Sequence, residues 1–382
     1  GTVGVKRPPR PLRPPSERPV AQEHPQTAIA LHAVGQELRR QGKYDEALDH
    51  YNRALALQRT ILGSKHPYTA STLTAIGQLL HIRGDHAAAL EHHRQALAIK
   101  REHLGPSHIF TANTLFDIGQ ALQALSQRNE ALAAYARALT VQQKALGQAH
   151  ARTIATQQAI AELLLAQGHF SEALTYFRGA LAGLEELHGP DDRLLVPLLI
   201  GIGQVHYQQT HYGESIATYE RALAVAETTL GADHPVVADL ANNLGTTLID
   251  LRQPDVAEPW LQRALAIHLR THGRTHLSTG AAQTNLANLA QLRGDVVAAE
   301  RRYREALQVY AAQPVQHPDA AKVAYNLGML LIVQRRPAEA LVLFEFALAR
   351  LRATLGDDHP DAGAFLTGVG VAQTELGRFA DA

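Results

Sequence analysis

Apolar and polar side chains alternate along this chain with the spacing of amphipathic helices, and Gly residues interrupt the pattern at regular intervals. The first apolar stripe consists of Ile29, Leu31, Val34 and Leu38. Apolar residues three or four positions apart lie on one face of an α-helix, and a Gly commonly ends the helix. The pattern therefore predicts a helix A from Pro25 to just before Gly42 and a helix B from about Tyr44 to Leu62.

The same helix pair recurs along the sequence. Its opening residue is a His before Pro at 24, 66, 234, 317 and 359, and His108, His150, Asp192 and His276 hold this position in the other copies. The step between copies is 42 residues, with one step of 41. Counting places from the opening residue as zero gives eight complete repeats, at 24–65, 66–107, 108–149, 150–191, 192–233, 234–275, 276–316 and 317–358, and a truncated ninth at 359–382.

Several places keep their residue type. Place thirty is Ala in every complete repeat, the next place is Leu, and place eleven is Gly or Ala throughout. Place twenty-seven is mostly aromatic, with Tyr51, Tyr135, Phe177, Tyr219, Tyr303 and Phe344. Small residues allow a neighbouring helix to approach closely, and a repeat of this length predicts a stack in which no copy buries its apolar face alone. The sequence therefore predicts an all-α solenoid forming one elongated domain over residues 24–382.

The repeat resembles the tetratricopeptide family, whose pattern is Leu-Gly, a large apolar residue, and then Ala, an aromatic residue and Ala. The matching residues are Leu244, Gly245, Leu248, Ala257, Leu261 and Ala264, with Leu261 at the aromatic place. The LG-x-x-HP joints at 62–67, 230–235 and 355–360 resemble those of kinesin light chains and of tetratricopeptide arrays in bacterial and fungal signalling ATPases. The resemblance implies a right-handed superhelix of antiparallel helix pairs whose concave face is lined by the A helices.

Composition and motifs exclude several classes of function. The chain has 36 basic and 36 acidic side chains, no Cys and no apolar run that approaches the roughly 20 residues needed to cross a bilayer. A balanced charge argues against nucleic acid or an anionic membrane as the main partner. No GxxxxGK[ST] loop, GxGxxG turn or GxSxG elbow occurs. We expect a cytoplasmic protein that is not itself an enzyme and that needs no cofactor.

The 21 His residues are not expected to bind metal. The opening His residues occur once per repeat, which places them too far apart to share an ion, and they are interpreted as turn and cap residues. The group His81, His86, His92 and His93 lacks an HExxH pattern or a Cys partner.

Residues 1–23 are rich in Pro and basic side chains and have no helical periodicity. We predict a disordered linker, which serves either as a tether to an upstream domain or as a proline-motif ligand. Its cations are Lys6, Arg7, Arg10, Arg13 and Arg18. They suggest that the tail docks, in cis or on another copy, against acidic residues expected on the inner face, namely Asp117, Glu162, Asp239 and Asp250.

Two Pro residues stand where a helix is expected. Pro197 lies inside helix A of the fifth repeat and Pro259 inside helix B of the sixth. Because Pro lacks the amide hydrogen and crowds the preceding turn, a kink or a late helix start is expected at each. Gly179 and Gly183 should also weaken helix B of the fourth repeat.

Ligand contacts are expected on the inner face. The family resemblance implies that places five, eight, nine, twelve, fifteen and sixteen line it. The candidate peptide-binding residues are Asp117, Gln120, Gln204, Asp239, Asn243, Asn285, Asn288, Lys322 and Asn326. Asn243, Asn285 and Asn326 share place nine and would form a ladder of amides suited to an extended peptide backbone. The alternative is that these amides bond neighbouring helices.

A carboxylate clamp of the tetratricopeptide type is only partly matched. Lys322 stands beside Asn326, but Asp239 occupies the place of the first basic residue and no Arg completes the set.

The predicted function is a protein-interaction module that binds a peptide or protein segment on its concave face, as the sensor part of a larger signalling protein. The alternatives are a structural or oligomerisation array and the regulatory region of an enzyme whose catalytic domain lies outside this chain.

Overall fold

The computed structural model describes residues 25–313, 317–356 and 359–377, so the predicted linker of residues 1–23 lies outside the described part. Within these ranges the chain forms 17 α-helices and no strand, and it is 82% helical. The helices are α1 Pro25–Arg40, α2 Tyr44–Ile61, α3 Pro67–Ile82, α4 His86–Leu104, α5 Ile109–Ala124, α6 Arg128–Leu146, α7 Ala151–Ala166, α8 Phe170–His188, α9 Leu195–Gln208, α10 Tyr212–Leu230, α11 Pro235–Asp250, α12 Pro254–Thr271, α13 Leu277–Leu292, α14 Val296–Ala311, α15 Asp319–Val333, α16 Pro337–Leu355 and α17 Asp361–Glu375. The all-α prediction is confirmed.

The helices belong to two compact bodies. The N-terminal body contains the described residues up to Leu163, and the C-terminal body those from Leu164 onward. Odd-numbered helices are the A helices and even-numbered helices the B helices of successive repeats. In each body an A helix packs against its own B helix, and A helices of successive repeats also meet, as α1 with α3 and α11 with α13. None of the described helices is long and apolar enough to cross a membrane.

The small residue at place eleven makes room for the side chain at place twenty-seven of the same repeat. A Cβ added to Gly119 would lie 2.5 Å from the ring of Tyr135, a distance that real Cβ contacts do not reach. Where the aromatic residue is replaced, the fit is the same, because Cβ atoms at Gly77 and Gly245 would lie 2.6 Å from His93 and 2.4 Å from Leu261. In the repeats with Gly at place eleven, the missing Cβ is therefore what allows the two helices to pack closely.

The Ala at place thirty is fully buried in every complete repeat. Its exposed fraction is 0% at Ala54, Ala96, Ala138, Ala180, Ala222, Ala264, Ala306 and Ala347. A larger side chain at this place would overpack the helix interface, which explains why the sequence keeps Ala there.

In the described part of the chain, the opening His residues cap the A helices, as predicted. The Nδ1 atom of His66 accepts a hydrogen bond of 3.2 Å from the backbone N–H of Tyr68, and His108 and His276 make the same bond. Such a bond satisfies one of the amide groups that the first helical turn leaves unpaired.

The turn between helix A and helix B needs a left-handed residue at place eighteen. Gly42, Gly84, Gly168, Gly294 and Gly377 have φ between 75° and 85° there. Ser126, Thr210, Arg252 and Arg335 adopt the same conformation, with φ of 60° or 61°. A residue with a Cβ is strained in this region, so four repeats carry a local cost that the Gly repeats avoid.

The irregular repeats keep their helices. Helix α9 begins at Leu195, three residues after the opening Asp192, so the late start expected near Pro197 is confirmed. Helix α12 continues through Pro259, and α8 runs unbroken through its two Gly residues.

Candidate ligand surface on the A helices

Polar side chains on the exposed side of the A helices meet along a diagonal. On this diagonal, the residue at place fifteen of one repeat lies beside the residue at place twelve of the following repeat. That second residue lies beside the residue at place nine of the repeat after it. In the N-terminal body, Arg39 Nη1 donates to Gln78 Oε1 at 2.8 Å, and Gln78 Nε2 donates to Asp117 Oδ2 at 3.2 Å. These three residues of α1, α3 and α5 therefore satisfy one another.

Cations surround the carboxylate at the end of this diagonal. Burial raises the pKa of Asp117 to about 6, while the bond from Gln78 and the charges of Lys100, Arg152 and Arg39 oppose that rise. The Lys100 ammonium donates to the Thr74 and Thr114 hydroxyls at 2.9 and 2.8 Å, and burial lowers its pKa. Asp117 is thus part of a bonded polar network within the protein.

The next diagonal of the N-terminal body leaves a pocket. His81, Gln120 and Ala159 hold its three places, and the short side chain of Ala159 stands where the preceding diagonal has Asp117. The pocket has a volume of about 490 Å³. Its remaining lining is His86, Phe116, Gln123, Ala124, Tyr135, Ala155, Gln158 and Glu162.

The C-terminal body contains a first pocket on the diagonal Leu165, Gln204 and Asn243. Its volume is about 580 Å³, and Phe170, Tyr207 and Tyr219 contribute aromatic lining. Tyr219 is the residue at place twenty-seven, so a residue of the repeat core also forms part of the pocket wall.

A second pocket of the C-terminal body lies on the diagonal Ile249, Asn288 and Asn326 and measures about 570 Å³. The Tyr303 hydroxyl lies 2.6 Å from Asn288 Oδ1 and 2.9 Å from Gln291 Oε1, and the Asn326 side chain is bonded to it as well. Burial raises the pKa of Tyr303, so the hydroxyl remains protonated and can donate. Three amide side chains thus converge on one buried tyrosine.

One hydrogen bond connects these two pockets. Tyr207 lines the first and Asp250 lines the second, and the Tyr207 hydroxyl donates to Asp250 Oδ2 at 2.5 Å. Burial, followed by the bond to Asp250, raises the pKa of Tyr207. We call the two pockets together the double pocket.

The structure groups the candidate residues differently from the predicted ladder. Gln204 lies with Asn243, and Asn288 lies with Asn326, so each of these two pockets contains one residue of place nine. Asn285 Nδ2 instead donates to Asn242 Oδ1 of the neighbouring A helix at 2.9 Å.

The remaining candidates lie outside the double pocket. Lys322 is exposed on α15. Asp239 Oδ1 lies 3.5 Å from Nε2 of the buried His268. Gln120 lines the pocket of the N-terminal body.

Sequence reasoning missed the tyrosines of place twenty-seven. This place is not part of the predicted lining, yet Tyr219 and Tyr303 line pockets, whereas Tyr207 lies at place fifteen, which the predicted lining includes. The signal in the sequence was the choice of Tyr over Phe, because a buried hydroxyl requires a polar partner. Groups of three or more His, Cys, Asp or Glu that could hold a metal ion do not occur in the described part of the chain.

The fold and these pockets define a helical repeat array with ligand-sized depressions on its A helices. Tetratricopeptide repeat models match residues 26–102, 110–186, 152–228, 195–269, 236–312 and 319–382, and a second model of that family matches 284–345. The chain therefore belongs to the tetratricopeptide repeat family, as its sequence pattern indicated. Membership supports a general role as a protein-interaction module.

Solved structures with a similar fold include RapI in its apo form, with a TM-score of 0.56 and 13% identity over 74% of this chain and 97% of that one. BtubC (BKLC) from P. vanneervenii has a TM-score of 0.51 and 22% identity, covering 61% of this chain and 94% of the other. A candidate kinesin light chain from Podosopora anserina, with nearly identical TPR-like repeats, has a TM-score of 0.48 and 20% identity over 54% and 98% of the two chains. The first two establish the fold alone. A comparison with curated proteins gives no match.

Proposed function

We propose that the C-terminal body binds an extended peptide segment of a partner protein across the double pocket. The observation that carries this proposal is the convergence of Asn288, Gln291 and Asn326 on the Tyr303 hydroxyl beside an open volume. Each amide side chain has two donor hydrogens and a carbonyl acceptor, so one bond to tyrosine leaves capacity for a ligand backbone.

The adjoining pocket has complementary chemistry. Gln204 and Asn243 supply amides there, while Phe170, Tyr207 and Tyr219 supply aromatic surface. Amides can bond a peptide backbone whatever its sequence, and the aromatic walls would select among its side chains. A peptide held in this way would be recognised broadly, with side chains tuning the affinity.

The signalling role remains part of this proposal. It rests on the LG-x-x-HP joints, which resemble those of arrays in signalling ATPases, and it would make ligand occupancy the input to an effector outside residues 1–382. The full-length reading frame tests it, since a nucleotide-binding motif before residue 1 would favour a sensor and a heptad coiled coil would favour a transport adaptor.

The direct test is to select peptides from a random dodecapeptide library displayed on phage against the full chain. Affinities of the selected peptides are then measured for Asn288→Ala, Asn326→Ala and Asn243→Ala. Each change should weaken binding by about 1 to 3 kcal/mol, because a ligand group loses its partner in a partly desolvated pocket. Unaltered affinity in all three variants would place the site elsewhere.

Asn285→Ala is the matched control. Its side chain already bonds Asn242, so its loss should lower the melting temperature while leaving peptide affinity nearly unchanged. If no peptide is selected by the wild-type chain, the oligomerisation alternative gains support. Size-exclusion chromatography with light scattering then decides, because a peptide receptor should stay monomeric at low micromolar concentration, whereas a self-assembling array should not.

A further inference from the structure

We propose that the pocket of the N-terminal body, formed around His81, Gln120 and Ala159, accepts an arginine side chain of a peptide partner. This site is separate from the double pocket and does not depend on it. The inference rests on the shape of the pocket, its aromatic wall and the charges that line it.

Ala159 creates the available space. On the preceding diagonal two hydrogen bonds join Arg39, Gln78 and Asp117. Ala159 holds place nine of the next diagonal and has no polar group to complete such a set of bonds, and a pocket of about 490 Å³ lies beside it. That volume accommodates one long side chain together with neighbouring backbone.

Two aromatic rings form one wall. The ring centroids of Phe116 and Tyr135 are 5.4 Å apart and inclined by 47°. Tyr135 is held in place because its hydroxyl donates to Gln123 Oε1 at 2.9 Å, and Gly119 lies tightly against its ring. A fixed aromatic surface attracts a cation through the negative face of the ring.

The charged lining is acidic. Glu162 is exposed, and Gln158 Nε2 donates to its Oε1 at 2.9 Å, which leaves Oε2 for a ligand. Neither Lys nor Arg occurs among the lining residues that the structure describes. Arg39, Lys100 and Arg152 act on Asp117 of the preceding diagonal and offset its charge.

The His81 ring does not oppose a cationic ligand at neutral pH. His81 Nδ1 and His86 Nδ1 lie 3.2 Å apart and share a hydrogen bond. Burial, followed by the charge of His86, lowers the pKa of His81, so this ring is uncharged at neutral pH. The pocket therefore presents hydrogen-bond acceptors and a carboxylate to a cationic ligand, and His81 adds no positive charge there.

Arginine fits this combination better than lysine. A guanidinium is flat enough to stack on Phe116 and has five N–H donors for Glu162 and the amide oxygen of Gln120. An ammonium is more strongly hydrated and offers no face for stacking.

The experiment measures binding of three capped tripeptides to the full chain by saturation-transfer NMR, namely Ala-Arg-Ala, Ala-Lys-Ala and Ala-citrulline-Ala. Citrulline keeps the shape of arginine without its charge. The arginine probe should bind at least about fivefold more tightly than the citrulline probe, which is the effect expected of one partly exposed charge pair. The Glu162→Gln variant should lose that preference.

Two further variants separate binding from folding. Glu91→Gln is the matched control, because Glu91 also accepts a bond of 2.9 Å from a Gln four residues away yet does not line the pocket, and this variant should keep the preference. Ala159→Leu should fill the pocket and weaken all three probes while the melting temperature stays close to that of the wild type. Equal binding of the arginine and citrulline probes, a preference that survives in Glu162→Gln, or no binding at tens of millimolar would each overturn the proposal.

Discussion

Tyr219 occupies the space that a side chain on Gly203 would need: a Cβ at this glycine would lie 2.4 Å from Tyr219 Cε1. The two residues belong to the A and B helices of the fifth repeat, α9 and α10. Tyr219 is 2% exposed and also lines the first part of the double pocket. The contact that holds the helix pair together therefore also positions a pocket wall.

Replacing Gly203 with Ala should destabilise the chain by roughly 1 to 3 kcal/mol, since the ring must move out of a packed position. The measurement is chemical denaturation followed by circular dichroism. Gly213→Ala is the control, because a Cβ on this helical glycine meets nothing within 4 Å. It should raise stability by up to about 1 kcal/mol through helix propensity. Equal effects of the two changes would contradict the packing account.

Replacing Thr210 with Gly should stabilise the protein by about 1 kcal/mol, because it removes a β-branched residue from a left-handed conformation. Thr210 has a φ of 60° at place eighteen, where Gly168 of the preceding repeat has 80°. The reverse change, Gly168→Thr, should cost a similar amount. Melting temperatures of both variants test this, and a loss of stability in Thr210→Gly would show that the threonine side chain has a compensating role.

Replacing Asp117 with Asn should stabilise the chain more at pH 7 than at pH 4. Burial raises the pKa of Asp117 from its usual 3.8 to about 6. The folded state therefore binds the proton more tightly than the unfolded state. Ionisation of Asp117 consequently lowers the free energy of unfolding; this loss is absent below the pKa of the unfolded state and grows until the pH exceeds the pKa of the folded state. Near pH 7 the variant should gain on the order of 1 to 2 kcal/mol in free energy of unfolding. The partial exposure of Asp117 and the nearby cations limit the gain, because they screen its charge.

The measurement is the unfolding free energy of wild type and Asp117→Asn in urea at intervals from pH 4 to pH 7. Asp49→Asn provides the control, because Asp49 is exposed on the surface of α2, where its Oδ2 lies 3.6 Å from Arg53 Nη1. A difference for Asp117→Asn that does not change with pH would show that the carboxyl titrates normally.

Neutralising the tail should increase affinity for the arginine probe if the tail docks on the N-terminal body. The change replaces Lys6, Arg7, Arg10, Arg13 and Arg18 with Gln in the full chain. A competing basic segment would be lost, and the gain should be larger at low salt because ions screen the attraction. Unchanged probe affinity at both salt concentrations would exclude tail docking at this site. Dependence of the gain on protein concentration would distinguish docking on another copy from docking in cis.

Much of the fold could be predicted from the sequence because its determinants are local and periodic. The regular return of Ala at place thirty and of a small residue at place eleven specifies the helix pairs, and Pro197 predicted the late start of α9. Ser126 holds place eighteen, where five repeats have Gly. Its positive φ could not be predicted from the sequence and is seen only in the structure of the turn that joins α5 to α6.

The candidate site was less accessible to sequence reasoning. Residues at the same place of successive repeats, such as Asn243 and Asn285, appear as a ladder when the repeats are aligned. In the structure Asn285 bonds Asn242, and Asn243 lies in a pocket with Gln204. On neighbouring A helices, the polar side chains that meet are about three places apart, as with Arg39 and Gln78 and with Gln78 and Asp117.

The sequence by itself determined the repeat, the helical class and the glycine and alanine contacts that hold each pair of helices together, since these depend on side-chain size at fixed spacing. Only the tertiary structure decided which polar side chains meet. Gln78 and Asp117 are close enough to bond, whereas Ala159 leaves the next diagonal open, and no pattern within one repeat records that difference. The physical reason is that hydrogen bonds form between atoms within about 3 Å, and that distance is set by how helices of different repeats pack.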